Sequence, residues 1–370
     1  MVFAGGGTGG HLYPGIAVAR ELQRRVPDAR IAFAGTARGL EARVVPREGF
    51  ALELLRSTGL KGRSRWSRLR GLALVPLSLL DSWHILSRHR PDVVVGVGGY
   101  SSGPVVLAAA LRGVPTMVLE QNALPGLTNR LLARWVRAAA VAYPEALSFF
   151  RGRGFLAGNP VRPEFYAPRQ GGARAPGTFR LLVLGGSQGA HAINAAVTAT
   201  VPSLFEHIGG LTVVHQTGER DLAEVRAAYA RVGANVRAEA FLDPVADEMK
   251  AADLLLGRAG ATTLAELAAA GIPAVLIPLP TAADDHQRKN AEALERAGAA
   301  VKVDQSGMTP AQLVETIRTL AGDPARLARM REAMRALARP DAAAVIADRV
   351  LALAGRPAGA APHRGTGAAR

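Results

Sequence analysis

Short apolar runs alternate with longer stretches of helical periodicity along most of this chain. Val2–Ala4, Ile31–Ala34, Val93–Val97, Met117–Leu119 and Ala139–Ala142 read as strands of a first unit. Leu181–Leu184, Thr212–Gln216, Asp253–Leu256, Ala274–Ile277 and Ala300–Val303 read as strands of a second. Helical patterns such as Tyr13–Val26 and Ala190–Thr198 fill the intervals. Strands alternating with helices predict βαβ units and a parallel sheet, so the fold class is α/β. The segment 158–177 mixes proline, glycine and arginine and reads as a linker. The stretch after Gly355 has no periodicity and is expected to be a disordered tail, 356–370.

Composition narrows the class. The 370 residues are 49% hydrophobic, too apolar for a disordered chain and long enough for two cored domains. Cysteine is absent, which excludes a disulfide framework, thiolate metal sites and a cysteine nucleophile. The start Met1-Val2-Phe3-Ala4-Gly5 has no basic n-region, so no signal peptide is expected. No run of about 18 apolar residues is present to span a bilayer. The expectation is a soluble cytoplasmic protein.

Charge adds a further feature. The net charge is +15, and residues 1–160 hold 21 Lys and Arg against 9 Asp and Glu. A basic first half points to a large anionic partner: nucleic acid, an acidic membrane surface or a phosphorylated substrate. The excess peaks at 56–90, where Arg63, Arg65 and Arg68 surround Trp66 and a nearly apolar run follows. Cations, Trp and Leu together suit an interfacial element on anionic lipid; the same residues also suit a core helix behind a basic loop. Low aromatic content, 5%, and little aromatic–basic interleaving argue against nucleic acid.

The loops carry the chemistry. Gly6-Gly7-Thr8-Gly9-Gly10-His11 follows the first strand, and Gly185-Gly186-Ser187-Gln188-Gly189-Ala190-His191 echoes it after the first strand of the second half. A glycine-rich turn opening a helix offers backbone N–H groups and roughly half a positive charge to an anion. Neither loop is a P-loop, and no acidic residue ends the second strand, so hydride chemistry and P-loop hydrolysis recede. His11 stands in the first turn of its helix, with an imidazole suited to proton transfer. Gly98-Gly99-Tyr100 and Glu120-Gln121-Asn122 follow later strands, the second group suiting a polyol. In the second half, Arg258-Ala259-Gly260 leads into Ala261-Thr262-Thr263-Leu264-Ala265-Glu266, another anion cradle. Glu266 is placed to accept from a ribose diol, or to serve as a helix-dipole carboxylate. Asp285-His286-Gln287 opens a later helix. No Asp-x-Asp occurs, so a carboxylate-held divalent metal has no obvious site and none is assigned. Neutralising a diphosphate would then fall to helix N-termini, Arg258 and hydroxyls.

Together with Gly158-Asn159-Pro160-Val161-Arg162, these segments stand in the order found in the MurG family of N-acetylglucosaminyltransferases, which the chain resembles from Val2 to about Leu353. That family converts lipid I to lipid II in peptidoglycan synthesis. The resemblance implies a GT-B fold: two Rossmann-like domains with a cleft between them. The implied domains are 1–160, for acceptor and membrane, and 161–340, for the UDP-sugar. A C-terminal helix at about 341–355 packs back on the first. The donor would be UDP-N-acetylglucosamine, with no tightly bound cofactor. Arg162 and Ser187 would lie near the donor, and Leu242 would offer its backbone to uracil. The Ala261–Glu266 turn, comprising Ala261, Thr262, Thr263, Leu264, Ala265 and Glu266, would hold the diphosphate, with Glu266 on ribose. Gln287 and Asn122 would contact the sugar. Thr8, Gly9 and Gly10 would approach the donor sugar and acceptor diphosphate, with Tyr100 on the acceptor side. The family reaction inverts the anomeric centre in one displacement. His11 is nominated as general base for the muramyl C4 hydroxyl, with Glu120 as second candidate or as its support. The implied partners are lipid I, the anionic inner-membrane surface on the cytoplasmic side, and the cell-wall and division machinery. His286 stands where other members have glutamine, which weakens a role for His286 but not for Gln287. The rival readings are another lipid-acceptor UDP-sugar transferase of the same fold and a UDP-sugar epimerase.

Overall fold

The computed structural model describes residues 1–57, 65–168, 177–185, 189–233 and 235–355, and the side chains within these ranges except those of 65–73 and 283. The chain divides into two compact units, Met1–Val161 with the segment from Asp341, and Arg162–Pro340.

The first unit is a seven-stranded parallel sheet. Its strands are β1 (Val2–Gly5), β2 (Ala32–Gly35), β3 (Ala51–Leu54), β4 (Val94–Gly98), β5 (Thr116–Glu120), β6 (Ala138–Val141) and β7 (Gly154–Leu156), in the order 3-2-1-4-5-6-7. Helices α1 (Gly9–Arg25), α2 (Glu41–Arg47), α3 (Arg65–His89), α4 (Ser102–Leu111) and α5 (Leu127–Leu132) make the crossovers, and α13 (Ala342–Leu353) returns to this unit. The period of two decides which layer each strand residue meets. Phe3, Val95 and Met117 pack with Leu12, Ile16 and Leu22 of α1 and with Ile346 and Val350 of α13. Their neighbours Val2, Val94 and Val118 turn the other way, onto Ile85 and Leu86 of α3 and Val105 and Val106 of α4. Burial on both faces explains why these strands read as unbroken apolar runs. An ion pair from Arg25 of α1 to Asp348 fastens α13 further. Ile346 is 1% exposed, so Ile346→Ala is expected to destabilise the unit by about 2–5 kcal/mol. Urea unfolding checks this; an unmoved midpoint would mean that α13 is not held through this face.

The second unit repeats the order with six parallel strands: β8 (Phe179–Leu184), β9 (Leu211–Gln216), β10 (Val236–Glu239), β11 (Leu254–Gly257), β12 (Ala274–Leu276) and β13 (Ala300–Lys302), arranged 10-9-8-11-12-13. Helices α6 (His191–His207), α7 (Leu222–Tyr229), α8 (Val245–Ala251), α9 (Ala261–Ala270), α10 (His286–Arg296), α11 (Pro310–Ala321) and α12 (Pro324–Ala336) complete it. Leu181 and Val183 of β8 pack on Ile193 and Val197 of α6 and on Leu313 and Ile317 of α11.

Among the described residues the ten expected strands are present, with three more that the apolar pattern does not mark: β3, β7 and β10. All three lie at sheet edges. They bury little, and β3 and β10 carry Glu53, Arg237 and Glu239, the charges by which an edge avoids further pairing. Such strands lack the apolar run that marks a central one. The first helix also begins earlier than its periodicity indicates, at Gly9, because the glycines before Tyr13 add no apolar face.

Candidate functional site

In an open parallel sheet, ligands sit beyond the carboxyl ends of the strands where the order reverses. That point lies between β1 and β4 in the first unit and between β8 and β11 in the second.

In the first unit, the loop after β1 and the loop after β4 lock together. Gly6 N–H donates to Gly98 O at 3.3 Å. Gly98 has φ +104°, and a Cβ there would stand 2.6 Å from His11 Cδ2, so the imidazole packs against a position that only glycine leaves open. The other flank of His11 is Thr8, whose hydroxyl is 3.2 Å from Nδ1. Thr8 is the N-cap of α1 by backbone geometry, yet its side chain makes no cap bond and serves the histidine instead. Tyr100, partly exposed, lies alongside, its Cε1 3.8 Å from where a Cβ on Gly7 would be. Thr8, Gly9, Gly10, His11 and Tyr100 thus gather at one strand-end crevice.

Glu120 and Gln121 are buried, at 3% exposure each. Glu120 Oε1 accepts from Asn122 N at 3.0 Å and Nδ2 at 3.1 Å. Its Oε2 accepts from Gly126 N at 3.0 Å and Asn129 Nδ2 at 2.9 Å. Burial raises the carboxyl pKa, opposed by these four donors. Gln121 Nε2 donates to Val97 O at 3.1 Å. A polyol therefore meets neither Glu120 nor Gln121, which corrects the reading of the trio as one sugar-binding group. Of the two roles open to Glu120, its geometry fits support: it orients the Asn122 carboxamide and has no lone pair directed outward for a base.

Glu41 was missed. It is fully buried beneath the β1 loop, where Gly7 N donates to Oε2 at 2.7 Å, and Thr36 N and Oγ1 each donate to Oε1 at 2.9 Å. A Cβ on Gly6 would stand 2.5 Å from its Oε2. The carboxylate fixes the loop from below and takes the Gly7 N–H away from any ligand. The one sequence signal is the ring of glycines, Gly35 and Gly39, left around Glu41.

The second unit holds a cavity of about 530 Å³ at the carboxyl ends of β8 and β11. Arg258, Thr263, Glu266, Leu279, Gln287 and Phe241 are among its lining residues. Gly260 caps α9, and Leu264 N bonds back to Gly260 O at 3.0 Å. Ala261, Thr262 and Thr263 precede that bond, in the first turn at the positive end of the helix. Leu264 is buried and its amide is engaged, and Ala265 lies inside the helix, so neither offers a polar group; that narrows the expected cradle. Glu266 faces the cavity with Arg162 Nη2 at 3.7 Å. Burial pushes its carboxyl up to about 7, against the pull of Arg162. The Arg162 guanidinium also meets Glu164 at 3.3 Å and lies 5.1 Å from the Phe165 ring. Arg258 Nη1 donates to Ile277 O at 3.0 Å and Pro278 O at 3.3 Å, which fixes its reach, and burial lowers its pKa. Gln287 Oε1 accepts from Leu279 N at 3.0 Å, which leaves its amide NH₂ as the donor for a ligand hydroxyl. Leu242 N donates to Gln216 Oε1 at 3.0 Å, so its carbonyl is the group a base N–H can reach. Ser187 lies outside the described residues. A larger cavity, about 700 Å³, opens at the opposite ends of β8 and β11 beside Phe179 and Asp253, away from every loop considered above.

Arg63 lies outside the described residues, as do the side chains of Arg65, Trp66 and Arg68, whose backbone opens α3. The rest of the region shows an apolar exterior. Leu80 and Trp83 on α3, Leu111 on α4, and Leu127, Leu131 and Trp135 on and after α5 are exposed. The three helices form one layer, α4 packing on both α3 and α5. The Arg112 guanidinium covers the Trp83 ring at 4.7 Å, and that of Arg134 lies 5.5 Å from Trp135. Among the described residues no helix is long and apolar enough to cross a membrane, and no group of three or more His, Cys, Asp or Glu could hold a metal ion.

Comparison with known proteins is consistent across the chain. The family model "Glycosyltransferase family 28 N-terminal domain" matches residues 1–141, and "Glycosyltransferase family 28 C-terminal domain" matches 180–346. A UDP-N-acetylglucosamine–N-acetylmuramyl-(pentapeptide) pyrophosphoryl-undecaprenol N-acetylglucosamine transferase from Anaeromyxobacter sp. (strain K) is 47% identical, covering 100% of this chain and 98% of its own. The protein of the same name from Myxococcus xanthus is 47% identical over 94% of this chain and 91% of its own. The crystal structure of Acinetobacter baumannii MurG superposes with a TM-score of 0.78 at 30% identity, covering 95% of this chain and 98% of that one.

Proposed function

From the premise that the chain belongs to glycosyltransferase family 28, with its GT-B fold, we propose how its residues move N-acetylglucosamine from UDP-N-acetylglucosamine to lipid I. The acceptor atom is the C4 hydroxyl of the muramyl sugar of undecaprenyl-pyrophosphoryl-N-acetylmuramyl-pentapeptide, and the product is lipid II. The observation that carries this reading is the full-length match to transferases of that name, whose chemistry the loops can perform.

The donor occupies the β8/β11 cavity. Its uracil stacks on Phe241, which is exposed there, and its N3–H meets the Leu242 carbonyl. Glu266 accepts from the ribose diol. The diphosphate lies on the amides of Ala261, Thr262 and Thr263, where the helix end supplies roughly half a positive charge. As the sugar–phosphate bond breaks, charge grows on the UDP oxygen, and that helix end with Arg258 stabilises it. Gln287 donates to the sugar, and Glu120 orients the Asn122 carboxamide for a hydroxyl of the sugar.

On the acceptor side, His11 takes the C4 proton through Nε2 while the oxygen attacks the anomeric carbon and inverts it. This requires Nδ1–H to donate to Thr8 Oγ1, which fixes the tautomer. No covalent enzyme intermediate is needed, since one displacement inverts the centre.

The ionisation of Glu266 gives a pH signature. Its pKa in the unliganded protein is raised to about 7, and only the ionised form accepts both ribose hydroxyls. Donor KM is therefore expected to rise as pH falls below 7, approaching about tenfold per unit, and to be flat above 8. A Glu266→Gln variant should lose this dependence; a wild-type donor KM constant from pH 5.5 to 8 would contradict the ribose contact.

The exposed layer of α3, α4 and α5 is the face that meets anionic lipid, which makes the protein peripheral on the cytoplasmic side of the membrane. Trp83→Ala with Leu131→Ser should lower binding to phosphatidylglycerol vesicles at least about fivefold and leave turnover of a water-soluble acceptor analogue unchanged. Unchanged vesicle binding would move the membrane face elsewhere.

The function itself is tested by incubating the protein with labelled UDP-N-acetylglucosamine and a lipid I analogue. A product heavier by one N-acetylhexosamine is expected. UDP release without glycosylated lipid would favour an epimerase instead.

A further inference from the structure

The echo between the halves assigns a histidine to each glycine loop, and the reaction above uses His11 alone. His191 is the first residue of the 17-residue helix α6 and lines the β8/β11 cavity with Gly185, Gly189 and Arg258. Its side chain is 62% exposed, whereas that of its partner Asp221 is 8% exposed. His191 Nδ1 is 3.1 Å from Asp221 Oδ2. The carboxylate is held from behind by a chain of buried polar groups. Asn194 Nδ2 donates to the same oxygen at 2.8 Å and to Thr217 O at 2.8 Å. Asn194 Oδ1 lies 3.0 Å from His215 Nε2, and His215 Nδ1 lies 2.7 Å from Tyr229 OH.

Resting on the donor assignment above, we infer that His191, positioned by Asp221, is a further donor-contacting residue that grips the UDP diphosphate through its Nε2. A carboxylate accepts hydrogen bonds and does not donate them, so Nδ1–H donates to Asp221 and Nε2 is turned outward; the contact to the diphosphate is made by the imidazolium form, in which Nε2 also carries a proton. The buried network stops the carboxylate from turning, and the carboxylate stops the imidazole from turning. The arrangement also removes an electrostatic difficulty. Asp221 alone would repel a diphosphate at the head of α6. His191 stands between that carboxylate and the cavity, so the pair presents its donor end to the ligand and keeps its acceptor end inside. Asn194 and His215 line no part of the cavity, and their placement makes sense as support for this pair. Asp221 is a positioning residue; His191 makes the contact.

The test compares ligands that share the nucleoside and differ in phosphate. Inhibition constants of UDP and uridine are measured on the full chain for wild type, His191→Ala and Asp221→Asn. A charge-assisted hydrogen bond lost from the diphosphate should weaken UDP about tenfold in His191→Ala. Asp221→Asn should weaken it about threefold or more, with uridine within about twofold of wild type in both. Equal losses for UDP and uridine would mean a structural role, and an unchanged UDP constant in His191→Ala would mean no contact; either overturns the inference. Failure of wild type to bind UDP at all would instead overturn the donor assignment on which it rests.

Discussion

Replacing His11 with alanine lowers turnover at least about 100-fold and leaves the affinity for UDP-N-acetylglucosamine within about twofold. General base catalysis contributes about 10²–10⁴ in rate when a positioned side chain takes the proton in the transition state. The imidazole is held on both sides in the first turn of α1. Gly98 backbone lies against one side and the Thr8 hydroxyl fixes Nδ1. His11 makes no contact with the nucleotide in this account, so a loss confined to kcat is the expected form. Steady-state kinetics with a lipid I analogue checks it, and wild-type turnover would remove His11 from the base role. Thr8→Val supplies a finer reading. It keeps the bulk and removes the acceptor for Nδ1–H, so it should reproduce part of the His11 loss, whereas Thr8→Ser should not.

Donor binding shows the second large effect: Glu266→Ala raises the donor KM by about tenfold to 100-fold while kcat falls much less. The carboxylate accepts two ribose hydroxyls in this account, and a hydrogen bond to a charged group is worth about 1.5–3 kcal/mol. Its placement depends on α9. Leu264 and Leu267 turn into the core and thereby aim Thr263 and Glu266 at the cavity. Burial of Glu266 beside Arg162 holds the carboxylate at a pKa of about 7 before the ligand arrives, so binding draws it into the charged state. An unchanged donor KM in this variant would count against the ribose contact, and a fall in kcat alone would place Glu266 with the chemistry instead.

What the chain reveals before folding follows from where each interaction is made. Central strands such as β4 and β8 are apolar on both faces and announce themselves. Edge strands β3, β7 and β10 are half-solvated and do not. The glycine loops and the α9 turn are local patterns, so their places after the strands could be read directly. Glu41 could not, because the group it holds, Gly7 N–H, is 34 residues away in sequence. Asp221 is hidden in the same way, 30 residues from His191. The trio Glu120-Gln121-Asn122 reads as three ligand groups because sequence does not say which side chains turn inward. Sheet topology decides that: Glu120 and Gln121 turn inward, and Glu120 accepts from the Asn122 carboxamide.

The claim on which the rest depends is that uridine diphosphate is held at the β8/β11 crossover of the second unit. A crystal grown with UDP tests it directly. The account predicts density for the diphosphate within hydrogen-bonding distance of the Ala261, Thr262 and Thr263 amides, with the ribose hydroxyls on Glu266. A nucleotide seated elsewhere, with the Gly260–Glu266 turn unoccupied, would contradict it.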